Sequence, residues 1–115
     1  MIGLIILGHG SNLPSYRDVV EIHKRRIENL GIFNEVRTAF IIEEPKLDYV
    51  IKDMKSEKIL IVPLFIAWGE HLEEIKRMLN GLDNVILCDP IGKSELVTCA
   101  ILASALSKCF KIRVD

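Results

Sequence analysis

The chain has 115 residues, 50% of them hydrophobic and 27% charged, enough for one core and too few for a second, so a single domain over residues 1–115 is expected. Fifteen Lys and Arg against sixteen Asp and Glu leave a net charge of −1, which supplies no positive field for nucleic acid. The uncharged stretches Ile59–Gly69 and Leu96–Ser107 fall short of the ~20 residues of a membrane span, and Met1–Tyr16 lacks the basic residues of a secretory leader, so a cytoplasmic protein with no membrane partner is expected.

Ile2–Leu7 is a continuous apolar run ending at Gly8, too short for a helix and apolar on both faces, hence a buried central strand. Ser15 and Asp18 form a capping-box-like start for a helix over Tyr16–Leu30, whose stripe of Tyr16, Val19, Val20, Ile27 and Leu30 ends at Gly31. Glu35–Ile42 is β-branched enough for a strand, Pro45 opens a short helix through Met54, and Lys58–Phe65 is a second buried strand. Glu70–Leu79 aligns Leu72, Ile75 and Leu79 on one helical face, with Glu70, Glu73 and Glu74 in the first turn. Val85–Cys88 is a short fourth strand, and Ser94 caps a last helix through about Phe110.

Four strand–helix units without a linker predict an α/β fold: a four-stranded parallel sheet, helices on both faces, strand order 2-1-3-4. In that order the switch point lies between strands 1 and 3, where ligands bind beyond the carboxyl ends of the strands. The loops Gly8–Leu13 and Ile66–His71 would face each other there. Three cysteines, Cys88, Cys99 and Cys109, form no Cys-x-x-Cys pair; if the last two share a helix they stand ~15 Å apart, beyond disulfide reach. They read as reduced thiols in apolar surroundings.

Of three histidines, His9 and His71 fall in those two loops. His9 follows a buried strand between Gly8 and Gly10, which let backbone or a flat ligand approach closely. His71 stands at a helix N-terminus, where imidazolium is disfavoured and a neutral ring remains available for a metal or a proton. His23 falls in the apolar stripe of the first helix and reads as structural, and Lys24-Arg25-Arg26 reads as a solvated face. Neither a Gly-x-x-x-x-Gly-Lys loop nor a complete dinucleotide fingerprint occurs, so no nucleotide cofactor is expected. A nucleophile elbow is also missing, which argues against a serine hydrolase despite Ser11.

Four motifs stand in order at strand ends: Gly8-His9-Gly10-Ser11, Glu44-Pro45, Val62-Pro63-Leu64-Phe65 running into Gly69-Glu70-His71, and Asp89-Pro90-Ile91-Gly92. Together they resemble the small sirohydrochlorin cobaltochelatases, the CbiX-type class II tetrapyrrole chelatases, over nearly the whole chain. The resemblance implies ATP-independent insertion of a divalent metal, cobalt or nickel, into sirohydrochlorin in cobalamin or related tetrapyrrole biosynthesis. It implies His9 as proton acceptor and metal ligand and His71 as second ligand. Gly10, Ser11, Glu44 and the loop of Ile66, Ala67, Trp68, Gly69 and Glu70 are then the surface that contacts the tetrapyrrole. The loop from Phe40 to Pro45 is one residue shorter than is common in the family, which leaves Glu43 and Glu44 both open as the equivalent carboxylate. Glu74-Ile75-Lys76 stands where the family often has Asp-Ile-Pro, and a histidine-rich insertion known in several small members is missing before Val85.

The chemistry of the residues agrees with that implication. A free tetrapyrrole sheds two pyrrolic protons as a divalent metal enters, which calls for a base and for ligands that leave coordination positions open. Two neutral imidazoles meet both demands, and nitrogen donors do not choose among cobalt, nickel, iron and zinc. A rival reading is a histidine phosphatase using His9, but Gly8 occupies the place of the arginine such enzymes put before their histidine. A non-catalytic metal carrier using the same two histidines is the other. The short chain, the breadth of a macrocycle and the fused two-half relatives of the family lead to an expected homodimer, with Ala100, Ala103, Ser104 and Ala105 offering close helix packing at the contact.

Overall fold

A computed structural model describes the backbone of residues 1–114 and the side chains of residues 1–109. The elements follow in the order β1 (Ile2–Gly8), α1 (Pro14–Glu28), β2 (Glu35–Phe40), α2 (Leu47–Asp53), β3 (Lys58–Pro63), α3 (Leu72–Leu79), β4 (Val85–Leu87), a 3-10 turn (Ile91–Lys93) and α4 (Glu95–Val114). The four strands are parallel, as the alternation of apolar runs and helical stripes predicts, and they stand in the expected order β2-β1-β3-β4.

Period-two alternation divides the core between the two faces of the sheet. Leu4, Ile6, Val36 and Phe40 point to the side of α1 and pack on Val20 and Ile27. Ile5, Leu7, Ile59 and Ile61 point the other way, onto Val50 of α2 and Ile75 of α3. Thr38, buried on the α1 side, donates its hydroxyl to Glu21 Oε1 at 2.8 Å, so its polar atom is satisfied.

Several element ends differ from the sequence reading for local reasons. α1 starts at Pro14 with Leu13 at the cap and no side-chain cap bond; proline at the first helical position already places Ser15 inside the helix, so no capping box forms. β2 stops at Phe40 because the chain doubles back there, with Phe40 N–H donating to the Pro45 carbonyl at 2.9 Å, and α2 begins only at Leu47. β3 ends at Pro63, which has no N–H to continue the ladder. Ser94 caps α4 as expected, its Oγ accepting from Leu96 N–H at 3.2 Å.

The cysteines do not enter the core. Cys88 is half-buried, and burial, followed by the nearby Asp89 charge, pushes its thiol above the ordinary range. Cys99 and Cys109 are exposed, because α4 stands off the sheet instead of packing on it: from Glu95 to Cys109 only Val97 is even partly covered.

Candidate active site

The carboxyl ends of β1 and β3 deliver the two loops to one place. Backbone bonds pin the first: the His9 carbonyl accepts from Ile41 N–H at 3.2 Å and Ile42 N–H at 3.0 Å, and His9 N–H donates to the Tyr16 hydroxyl at 2.7 Å. Gly10 has φ +104°, and a Cβ there would stand 2.8 Å from Ile42 Cγ1, so the loop requires glycine on both conformational and steric grounds.

His71 occupies the N-cap position of α3. Its Nδ1 lies 3.2 Å from Glu74 Oε2 and its Nε2 lies 4.0 Å from Glu70 Oε1. A carboxylate on Nδ1 holds the proton there and frees the Nε2 lone pair, the usual way a second residue orients a ligand imidazole. The Nδ1 of His9 is 3.3 Å from the Gly10 carbonyl, which selects the same tautomer.

The two rings meet with centroids 5.1 Å apart and planes tilted by 58°. An ion bound at ~2.1 Å to one nitrogen of each ring requires centroids no more than roughly 6.4 Å apart, a limit within which this pair falls. Among the described residues no cluster of three His, Cys, Asp or Glu side chains is arranged to hold a metal.

Ala67, Trp68 and Gly69 line the same cleft as His9 and His71, over a floor of Phe65 and Ile75. Trp68 packs edge-on against Phe65 at 6.2 Å between centroids, so its ring is anchored to the core while bordering the cleft. A second hollow beside it is bounded by Ile66, Asp89, Pro90 and Lys93. Ile66 and Glu70 extend outward, with the Glu70 side chain 91% exposed. Ser11 is used locally, its Oγ accepting from Leu13 N–H at 3.1 Å. His23 sits half-buried on α1 and does not line the cleft.

The two candidate carboxylates differ in placement. Glu44 is exposed; its Oε2 accepts from Lys46 N–H at 3.3 Å and its carbonyl accepts from the Arg17 guanidinium. Glu43 instead lies against the His9 loop, its Cγ 3.1 Å from where a Gly10 Cβ would be. Its Oε2 is 3.6 Å from Arg17 Nη2, while its Oε1 is buried without a hydrogen-bond partner.

Three residues that support the site are not evident from the sequence. Tyr16 reads as one member of an apolar stripe, yet its hydroxyl holds the His9 backbone. Arg17 stacks over the Phe40 ring at 4.9 Å and links α1 to the Glu43–Glu44 loop. A Cβ on Gly92 would come within 1.6 Å of the Ile66 carbonyl oxygen, so this glycine lets the 3-10 turn abut the Ile66–His71 loop. The Asp89-Pro90-Ile91-Gly92 motif was the signal available for it.

Comparisons with known proteins bear on this geometry. The CbiX family model matches residues 3–107. A Halobacterium salinarum protein named "Probable sirohydrochlorin cobaltochelatase" is 40% identical over 76 residues, 65% of this chain and 26% of that protein. A sirohydrochlorin cobaltochelatase of Methanopyrus kandleri is 36% identical over 85 residues, 70% of this chain and 59% of that protein. The chain thus spans less than two-thirds of the length of either. A solved structure from Marinobacter aquaeolei VT8, described as a "Putative cobalamin (vitamin B12) biosynthesis CbiX protein", superposes with a TM-score of 0.73 at 25% identity, covering 96% of this chain and 99% of that one.

Proposed function

The chain belongs to the CbiX family, and from that premise we propose that it is a sirohydrochlorin cobaltochelatase, a lyase that inserts a divalent metal into the tetrapyrrole without ATP. The observation that carries this reading is the His9–His71 pair, 5.1 Å apart at the switch point of the sheet with no third ligand among the described residues. The metal is a substrate here. Nε2 of each ring binds it, the remaining positions receive the pyrrole nitrogens, and two protons leave the macrocycle as the metal–nitrogen bonds form. His9 takes up one of these protons on Nε2 once that nitrogen has passed the metal to the macrocycle, and the carboxylate of Glu43 or Glu44 takes the other and relays it to solvent. Gly10, Ser11 and the Ile66–Glu70 loop form the platform against which the macrocycle lies.

Cobalt is the metal in the names of the relatives, and nickel competes for the same nitrogen donors. Charge balance is met by proton release, so no nucleotide is required. The reaction takes place in the cytoplasm on a homodimer, since the cleft of one chain is too open to enclose a macrocycle. Anaerobic mixing of the protein with sirohydrochlorin and Co²⁺ or Ni²⁺ tests the reading. The macrocycle absorption spectrum changes faster than in the uncatalysed control; equal rates would leave a metal carrier using the same histidines.

A further inference from the structure

The loops that follow the four strands, residues 9–13, 41–46, 64–71 and 88–94, carry the carboxylates Glu43, Glu44, Glu70 and Asp89 and only two cations, Lys46 and Lys93. This end of the sheet is net acidic. A tetrapyrrole whose rim bears acetate and propionate groups is repelled there unless a cation faces the rim. Arg17 of α1 reaches these loops but is already engaged, by Glu43, by the Glu44 carbonyl and by the Phe40 ring. Lys46 lines a separate cavity, together with Asp48 and Glu74, on the side of Ile75 and Met78, so two carboxylates share its surroundings.

Lys93 is placed differently. It is exposed, and among the described residues no carboxylate stands within ion-pair distance of its ammonium. It borders a hollow of about 380 Å³ with Ile66, Ala67, Trp68, Asp89 and Pro90, a volume in the ~300–1,000 Å³ range of small-molecule sites. Ala67 and Trp68 also line the His9–His71 cleft, so the two concavities meet along one loop. Backbone contacts fix Lys93 against that loop: a Cβ on Gly92 would come within 1.6 Å of the Ile66 carbonyl oxygen, and Ser94 N–H donates to the Ile91 carbonyl at 3.0 Å. Ser94 Oγ caps the start of α4 from within, so the charge on offer to a ligand is that of Lys93.

We propose that Lys93 receives a peripheral carboxylate of the macrocycle, seating that edge in the hollow beside Trp68 while the centre of the ring lies at His9 and His71. The inference rests on the chelatase reading above and deepens it, since Lys93 holds the rim of the substrate and not its reacting centre. The apolar wall of Ile66, Ala67 and Trp68 suits the flat face of a pyrrole ring, and an ammonium on a flexible four-carbon stem follows the carboxylate at the end of its side chain. Asp89 shares the lining and repels the same group, so the two residues act on the substrate with opposite sign. The contact favours tetrapyrroles with an acidic rim over those whose rim carries alkyl or vinyl groups.

Titration of the protein with metal-free sirohydrochlorin, followed by the macrocycle absorption, gives a Kd without any insertion step, and insertion rates with Co²⁺ give kcat and KM. Lys93 and Asp89 are both exposed, so Lys93→Ala, Lys93→Arg and Asp89→Asn all fold. Lys93→Ala raises Kd and KM about fivefold with kcat within about twofold of wild type, and Lys93→Arg restores both. Asp89→Asn lowers Kd about twofold. The gap between wild type and Lys93→Ala narrows as salt rises from about 50 mM to about 500 mM, because an exposed charge contact is screened. An unchanged Kd in Lys93→Ala, a loss that Lys93→Arg does not restore, or a gap indifferent to salt overturns the contact. A wild type that binds the macrocycle through Lys93 yet inserts no metal overturns the chelatase reading and upholds the contact; a wild type that does not bind it overturns both.

Discussion

The imidazole centroids of His9 and His71 lie 5.1 Å apart although the two residues stand on loops after different strands, and β1 and β3 are neighbours only because the chain places β2 on the far side of β1. The pair is therefore a product of topology, and the proposed chelation places both rings on one ion. His9→Ala and His71→Ala each lower metal insertion by roughly 100-fold or more, since either change removes a proposed ligand and the first also removes the proposed base. Circular dichroism of both stays native, and His23→Ala retains wild-type turnover. Normal insertion by either of the first two variants would remove the pair from the reaction.

Adjacent carboxylates offer a sharper test of the site. Glu43 faces the His9 loop with a buried, unpartnered Oε1, whereas Glu44 is exposed and engaged by its own turn. Glu43→Gln lowers kcat/KM about tenfold, and Glu44→Gln changes it by less than about twofold. Steady-state rates of both variants at one pH decide this, and the opposite order would put Glu44 against the substrate.

How far the sequence carries is visible in these two cases. The strands are legible because a parallel sheet covered on both sides demands uninterrupted apolar runs, which Ile2–Leu7 and Ile59–Val62 supply. Handedness fixes which face each helix takes once the strand order is given; the order β2-β1-β3-β4, which makes the His9 and His71 loops face each other, is not dictated by the residues and comes from the fold class. Which of two neighbouring glutamates turns inward is not legible, because it depends on how residues 41–46 double back from Phe40. The standing-off of α4 is equally hidden, since an uncharged helix reads the same whether it covers its own sheet or another.

Tyr16 holds the His9 backbone N–H at 2.7 Å, so Tyr16→Phe deletes one hydrogen bond while keeping the ring packed near Phe40. Stability falls by about 1 kcal/mol, and insertion falls more than this loss of folded protein explains, because the loop that carries His9, the proposed ligand, is no longer fixed. Urea unfolding and initial rates on the same preparation separate the two effects. An unchanged rate would make the bond purely structural.

At Gly92 the obstacle is backbone, which cannot swing aside as a side chain does. Gly92→Ala places a methyl 1.6 Å from the Ile66 carbonyl oxygen in the present geometry, so the turn and the Ile66–His71 loop must separate. The expected cost is about 1–3 kcal/mol, read as a lower Tm, together with a raised KM for the tetrapyrrole because Trp68 and Gly69 move with the loop. Wild-type Tm and KM would show that the turn shifts freely.

Acid stability follows from Glu35, at the start of β2. The Ser56 hydroxyl donates to its Oε2 at 2.6 Å and the amides of Lys55 and Ser56 at 3.0 Å each, which hold the carboxyl below the ordinary range against the opposing effect of burial. A carboxyl whose folded value is depressed stabilises the fold fully above its unfolded value, near ~4.3, and that contribution is lost as pH falls through the lower folded value. Ser56 is buried and tightly placed, since a Cβ on Gly3 would lie 2.5 Å from its Oγ, so the interaction is fixed in geometry. Glu35→Gln should therefore be less stable than wild type at neutral pH and show a shallower loss on acidification. Ser56→Ala, which removes the largest of the lowering bonds, should leave a smaller Glu35 contribution at neutral pH and lose the last of it at a higher pH than wild type does. Urea midpoints from about pH 6 down to about pH 2.5 measure both; curves for Glu35→Gln that run parallel to wild type throughout would show that another group controls the acid limb.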